Sequence, residues 1–102
     1  MKVEPFGPLV PILSFKTFNE VIERANNHEL GLSSYICTNS MDKAHKASEL
    51  METGTVAVNT PLVAIAEAPF GGIKQAGYGR EGGSMAIKDY LNVKYTHLGL
   101  KG

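Results

Sequence analysis

The chain has 102 residues, with ten Lys and Arg balanced by ten Asp and Glu; a length of this order allows one domain, with about two-thirds of the unfolded surface buried. The neutral balance, with no run of either sign longer than a few residues, argues against nucleic acid or an anionic membrane surface as the main partner. One cysteine, Cys37, excludes an internal disulfide, and neither an apolar leader core after Met1 nor a bilayer-length apolar stretch is present. A soluble protein of a reducing, cytoplasmic compartment is therefore expected.

In chain order, the apolar run over residues 9–15 predicts a buried strand entered through a turn at Pro8, with Pro11 placing it near an edge or bulge. Thr17-Phe18-Asn19-Glu20 has capping-box spacing and predicts a helix start. Phe18, Val21, Ile22 and Ala25 then form one apolar stripe, Glu20 and Arg24 pair at i, i+4, and the helix should end near Asn26-Asn27. Residues 32–38 read as a second strand. Asn39-Ser40 supplies an N-cap for a helix turning Ala44, Ala47, Leu50 and Met51 inward, and Gly54 is expected as its left-handed C′ residue. The β-branched run Thr55-Val56-Ala57-Val58 follows as a third strand.

The order βαβαβ predicts an α/β fold with a parallel sheet and right-handed crossovers. Residues 69–83 then place six glycines, two cations and two aromatics in fifteen positions. Bulky side chains alternating with glycine fit an ordered loop whose backbone runs close to other groups, not a flexible linker. Met85, Ile87 and Leu91 mark a short last helix, and residues 92–98 alternate as a C-terminal edge strand in need of cover.

Several signals suggest chemistry that their context denies. Gly77-Tyr78-Gly79-Arg80-Glu81-Gly82 spells G-x-G-x-x-G, yet no strand precedes it and too little chain follows to supply the acidic residue of a dinucleotide site. Cys37 lies in a predicted buried strand without a nearby His or cation, so it reads as a small core residue. His28, His45 and His97 are isolated, without metal-site spacing, and no metal is expected. The pairs Glu20/Glu23 and Glu49/Glu52 fall on polar helix faces.

A set of motifs nevertheless runs through nearly the whole chain in a specific order: Glu4-Pro5-Phe6-Gly7-Pro8, Asn26-Asn27, Gly31-Leu32, Gly54-Thr55-Val56, Val58-Asn59, Pro69-Phe70-Gly71-Gly72, Lys74, and Gly77-x-Gly79-Arg80-Glu81. In this order the chain resembles NAD(P)-dependent aldehyde dehydrogenases, and Gly79-Arg80-Glu81-Gly82 with Asp89-Tyr90-Leu91-x-Val93-Lys94-Tyr95 resembles the succinate-semialdehyde dehydrogenase-like branch. The resemblance implies that residues 1–102 are a C-terminal segment of the family's catalytic domain. The family's nucleophilic cysteine, general-base glutamate and oxyanion asparagine belong upstream of the Glu-x-Phe-Gly-Pro motif, so no catalytic residue is assigned here.

In the intact enzymes a thiolate attacks the aldehyde, hydride passes to NAD or NADP, and the thioester is hydrolysed. By resemblance, Glu4 matches the glutamate that binds the nicotinamide ribose hydroxyls, Phe6 the aromatic beside the nicotinamide ring, and Phe70 the substrate-tunnel aromatic. Residues 61–66 correspond to the tunnel wall. Ala64 stands where succinate-semialdehyde enzymes typically carry a serine that helps hold the distal carboxylate, so a different or less polar aldehyde is also open. Residues 92–100 match a segment that adds an edge strand to a neighbouring subunit.

The chain alone is expected to be inactive and to bind neither NAD nor NADP tightly. Its partners would be the remainder of the dehydrogenase or another copy of itself in a homo-oligomer, with an aldehyde as the substrate of the whole. The alternative is a stand-alone, non-catalytic dimerisation or binding module derived from that family.

Overall fold

A computed structural model describes residues 5–100 and 102; Glu4, the expected ribose ligand, lies outside the described residues. The elements are α1 (Phe18–Asn26), β1 (Leu30–Gly31), β2 (Ser33–Ile36), α2 (Met41–Leu50), β3 (Thr55–Val58), β4 (Ile73–Lys74) and a 3-10 turn (Ala86–Tyr90).

Both helices start where the sequence places their caps. Thr17 Oγ1 accepts from the Glu20 amide at 3.2 Å and Ser40 Oγ from the Lys43 amide at 3.3 Å, which satisfies amides that have no partner inside the helix. The Glu20 carboxylate reaches one residue beyond the cap, to the Lys16 amide at 2.9 Å, and also meets Arg24 at 3.1 Å.

The central unit is β2–α2–β3, with β2 and β3 parallel and Ser33, Ser34, Tyr35 and Ile36 facing Thr55, Val56, Ala57 and Val58. Asn59 prolongs this ladder with its side chain. Its carboxamide accepts from the Thr38 amide and donates to the Thr38 carbonyl, both at 2.9 Å. A second, antiparallel pair joins β1 to β4 in the register Leu30 to Lys74 and Gly31 to Ile73.

The expected βαβαβ sheet is thus reduced to one parallel pair. Residues 9–15 form no strand: their side chains stand exposed, and Pro8 and Pro11 offer no amide to a ladder. Residues 92–98 likewise run extended outside any ladder, and the last helix is the 3-10 turn. Alternation alone does not make a strand; a neighbouring backbone does.

Gly54 is also corrected. It is not among the residues with positive φ, and α2 ends on Met51 in extended conformation. Its role is close approach: a Cβ there would run into the Gly71 carbonyl. Cys37 falls just past β2 and is exposed, so it is not a core residue.

Buried side chains are few and small: Ala44 and Ala47 on α2, Ala57 on β3 and Ser34 on β2. Ser34 is satisfied by the Thr53 hydroxyl at 2.9 Å. Leu50, expected inward, remains 43% exposed, and α1 buries none of its apolar stripe.

The molecule exposes 9056 Å² for 11.0 kDa, where a compact monomer of that mass exposes about 5,600 Å². Its radius of gyration is 19.2 Å, against about 13 Å for a compact chain of this length. Exposed apolar side chains concentrate in two arms, residues 5–16 and 91–100, while Phe18, Val21 and Ile22 of the α1 stripe are half-buried.

Candidate functional site

Around residues 69–83 the backbone is held by unusual dihedrals and specific bonds. Gly77, Gly79, Gly82 and Gly83 all have positive φ, from 60° to 125°, a region open to glycine at little cost. Phe70 and Glu81 exchange two backbone hydrogen bonds of 2.7 Å, closing the loop like a hairpin, and the Gly83 amide donates to the Ala66 carbonyl at 2.8 Å. Arg80 crosses the interior, donating from Nη1 to the Gly72 and Gly79 carbonyls at 2.8 Å. The Arg80 amide in turn donates to Asp89 Oδ2 at 2.8 Å. This carboxylate lies so close to Gly79 that a Cβ there would sit 2.6 Å from it.

The loop encloses a shallow hollow of about 280 Å³ whose lining includes Leu32, Phe70, Tyr78, Arg80, Asp89 and Tyr90. The G-x-G-x-x-G letters within it open no helix and follow no regular strand beyond the two residues of β4. Turns occupy the places a dinucleotide fingerprint requires for strand and helix.

The sequence-assigned residues are dispersed. Phe70 is half-buried at the Glu81 bridge and lines the hollow. Ala64 is exposed in the connection between β3 and the glycine-rich loop, and Phe6 is 96% exposed on the N-terminal arm. An isolated exposed ring has no second group to hold a nicotinamide against it, so Phe6 alone does not make a cofactor site.

A larger concavity, about 520 Å³, lies between the stripe of α1 (Phe18, Val21, Ile22 and Ala25) and Tyr35, Ala47 and Met51 of the β2–α2 side. Its titratable members, Lys16, Lys43, Tyr35 and Cys37, include no paired acid and base. It is an uncovered packing face, not a catalytic cleft. Among the described residues, no group of three or more His, Cys, Asp or Glu could hold a metal ion, and no helix is long and apolar enough to cross a membrane.

The shifted carboxylate among the described residues is structural. Glu20 is held below its ordinary value chiefly by the Lys16 amide; desolvation, the next largest effect, opposes this, and hydrogen bonds with Arg24 and Thr17 add to the lowering. This carboxylate caps a helix.

Sequence reasoning missed a polar knot where the elements meet. Lys74, at φ 56°, sends its ammonium to the Asn26 and His28 carbonyls at 2.9 and 3.2 Å and pairs with Glu52. Asn26 completes the knot, donating from Nδ2 to the Leu50 carbonyl at 2.8 Å and accepting from the Glu52 amide at 2.9 Å. Asn26 and Lys74 stand in the motif set, but their partnership spans 48 residues and no local spacing encodes it.

The sequence matches the aldehyde dehydrogenase family over residues 1–96, and the chain belongs to that family. It is 48% identical over 96 residues to a 3-sulfolactaldehyde dehydrogenase of Pseudomonas putida, and 43% identical over 99 residues to the NADP+ succinate-semialdehyde dehydrogenase of Escherichia coli. These alignments cover 94% and 97% of the chain and 20% of each relative. The chain thus spans about a fifth of the length of the curated relatives it matches.

Among solved structures, an aldehyde dehydrogenase from Brucella melitensis superposes with TM-score 0.88 at 46% identity, over 93% of this chain and 20% of that one. An NAD+ complex of an aldehyde dehydrogenase from Bacillus cereus gives TM-score 0.84 at 45% identity, over 87% and 18%. The α/β arrangement is therefore that of part of an aldehyde dehydrogenase. The family is one of NAD(P)-using oxidoreductases.

Proposed function

We propose that the chain is the C-terminal part of the catalytic domain of an NAD(P)-dependent aldehyde dehydrogenase that oxidises an aldehyde to a carboxylic acid. The observation that carries this reading is the uncovered surface: 9056 Å² exposed, with exposed apolar side chains concentrated on two arms, residues 5–16 and 91–100. An α/β unit of this kind reaches normal compactness only when further protein covers it.

Within the whole enzyme, bound NAD or NADP would accept the hydride. Glu4 would bind the ribose hydroxyls, Phe6 would lie beside the nicotinamide, and Phe70 and Ala64 would line the aldehyde tunnel. Residues 92–100 would pair with a neighbouring subunit's sheet in a homo-oligomer, in the cytoplasm. Alone, the chain is inactive and holds NAD(P) weakly, because the nucleophilic cysteine and the general base belong to other segments.

Relatives named for 3-sulfolactaldehyde, succinate semialdehyde and glutarate semialdehyde act on short aldehydes with an acidic far end, which is the substrate class proposed here. With alanine at position 64, the far anion must find its donors elsewhere in the tunnel.

A chimera tests this reading: the matching fifth of the Escherichia coli succinate-semialdehyde dehydrogenase is replaced by this chain, and aldehyde-dependent cofactor reduction is measured. Turnover above that of the truncated enzyme is expected. A folded, soluble chimera that reduces no cofactor with any semialdehyde contradicts it.

A further inference from the structure

We infer that Lys74 is a positioning residue: its ammonium locks the glycine-rich loop, and through it Phe70, onto the ends of both helices. The inference rests on the proposed function only in giving Phe70 a place in the aldehyde tunnel.

The geometry is economical. Lys74 is one of two non-glycine residues with positive φ among the described residues, a strained conformation that persists only where the surroundings fix it. Its surroundings are the Asn26 carbonyl at the C-terminus of α1, the His28 carbonyl two residues on, and the Glu52 carboxylate just beyond α2. A cation here answers the partial negative charge at a helix C-terminus. Because Asn26 binds Leu50 and Glu52 through its side chain, the one ammonium ties together α1, α2 and the loop.

The tie is transmitted along a short, stiff path. β4 pairs with β1, and the Gln75 amide donates to the Glu29 carbonyl at 3.0 Å. Gly72, immediately before β4, is buried and packs so closely that a Cβ would lie 2.6 Å from the Ala76 Cβ. Gly71 abuts Gly54, and Phe70 follows at the Glu81 bridge. The three residues between Lys74 and Phe70 thus have little freedom once the ammonium is seated.

Two variants and two measurements test the inference. Lys74→Met keeps the apolar stem and removes the charge; Lys74→Arg keeps the charge. In the chain itself, amide hydrogen exchange at Phe70 and Glu81 is expected to rise about tenfold in Lys74→Met, the loss of hydrogen bonds from a charged donor. The Ala57 and Val58 amides of β3 should be unchanged, and Lys74→Arg should restore most of the protection. Unchanged exchange at Phe70 and Glu81, absence of protection there in the parent chain, or a uniform rise through β3 overturns the inference.

In the chimeric dehydrogenase, Lys74→Met should raise the aldehyde KM several-fold and leave the cofactor KM within about twofold. A fall in kcat with both KM values fixed reports only less folded enzyme and counts against positioning. Exchange that responds while the aldehyde KM does not would uphold the lock and overturn the assignment of Phe70 to the tunnel. The two readings therefore fail separately.

Discussion

Asn59 shows how one side chain can extend a sheet where the backbone has turned away. At φ 55° its main chain has left the β region, a conformation asparagine tolerates better than most residues. Its amide still bonds the Ile36 carbonyl at 2.8 Å, while its carboxamide serves both backbone groups of Thr38. Asn59→Gly keeps the dihedral and deletes both side-chain bonds. A loss of about 1–2 kcal/mol in urea unfolding is expected, with Asn59→Ala costing more because it adds strain; equal stability of all three proteins would refute this account. The sequence marks Val58-Asn59 as a motif without disclosing that the asparagine faces Thr38. In the same way it marks Gly54 as special but suggests the wrong reason: crowding against Gly71, not a left-handed turn, excludes a side chain there.

At the scale of elements, local chemistry is legible and partnership is not. Thr17 and Ser40 cap the helices the spacing predicts, and β2 and β3 pair within the two runs read as strands, residues 32–38 and 55–58. Residues 9–15 and 92–98 carry equally good strand composition but form no ladder, because a strand is completed by a neighbour that no local pattern identifies.

Cap chemistry also sets an acid response for α1. Glu20 is held below its ordinary value of 4.5, chiefly by the Lys16 amide. A carboxylate with a depressed folded pKa contributes stability above its unfolded pKa and loses it as the pH falls through 4.5 toward the lower folded value. The parent chain should therefore lose helical ellipticity across that window more steeply than Glu20→Gln, which lacks the titrating group. Parallel acid profiles for the two would show that the Glu20 cap does not stabilise α1.

On the scale of the whole molecule, the surface decides. With its apolar arms exposed, the molecule has a 19.2 Å radius of gyration and an area well above that of a compact monomer. The candidate site reflects the same incompleteness. Phe6, Ala64 and Phe70 lie on an arm, an exposed connection and a loop that other protein would have to draw together. On the proposed reading, the catalytic groups belong to other motifs of the family. On the same reading, the geometry that unites these residues comes from packing against the rest of the enzyme, which no local pattern encodes.

The most direct test of this account is cofactor reduction by the purified chain itself. It would be mixed with NAD or NADP and a panel including succinate semialdehyde and glutarate semialdehyde, and the absorbance of the reduced cofactor followed. The account predicts no aldehyde-dependent increase; sustained turnover by the chain alone would contradict it.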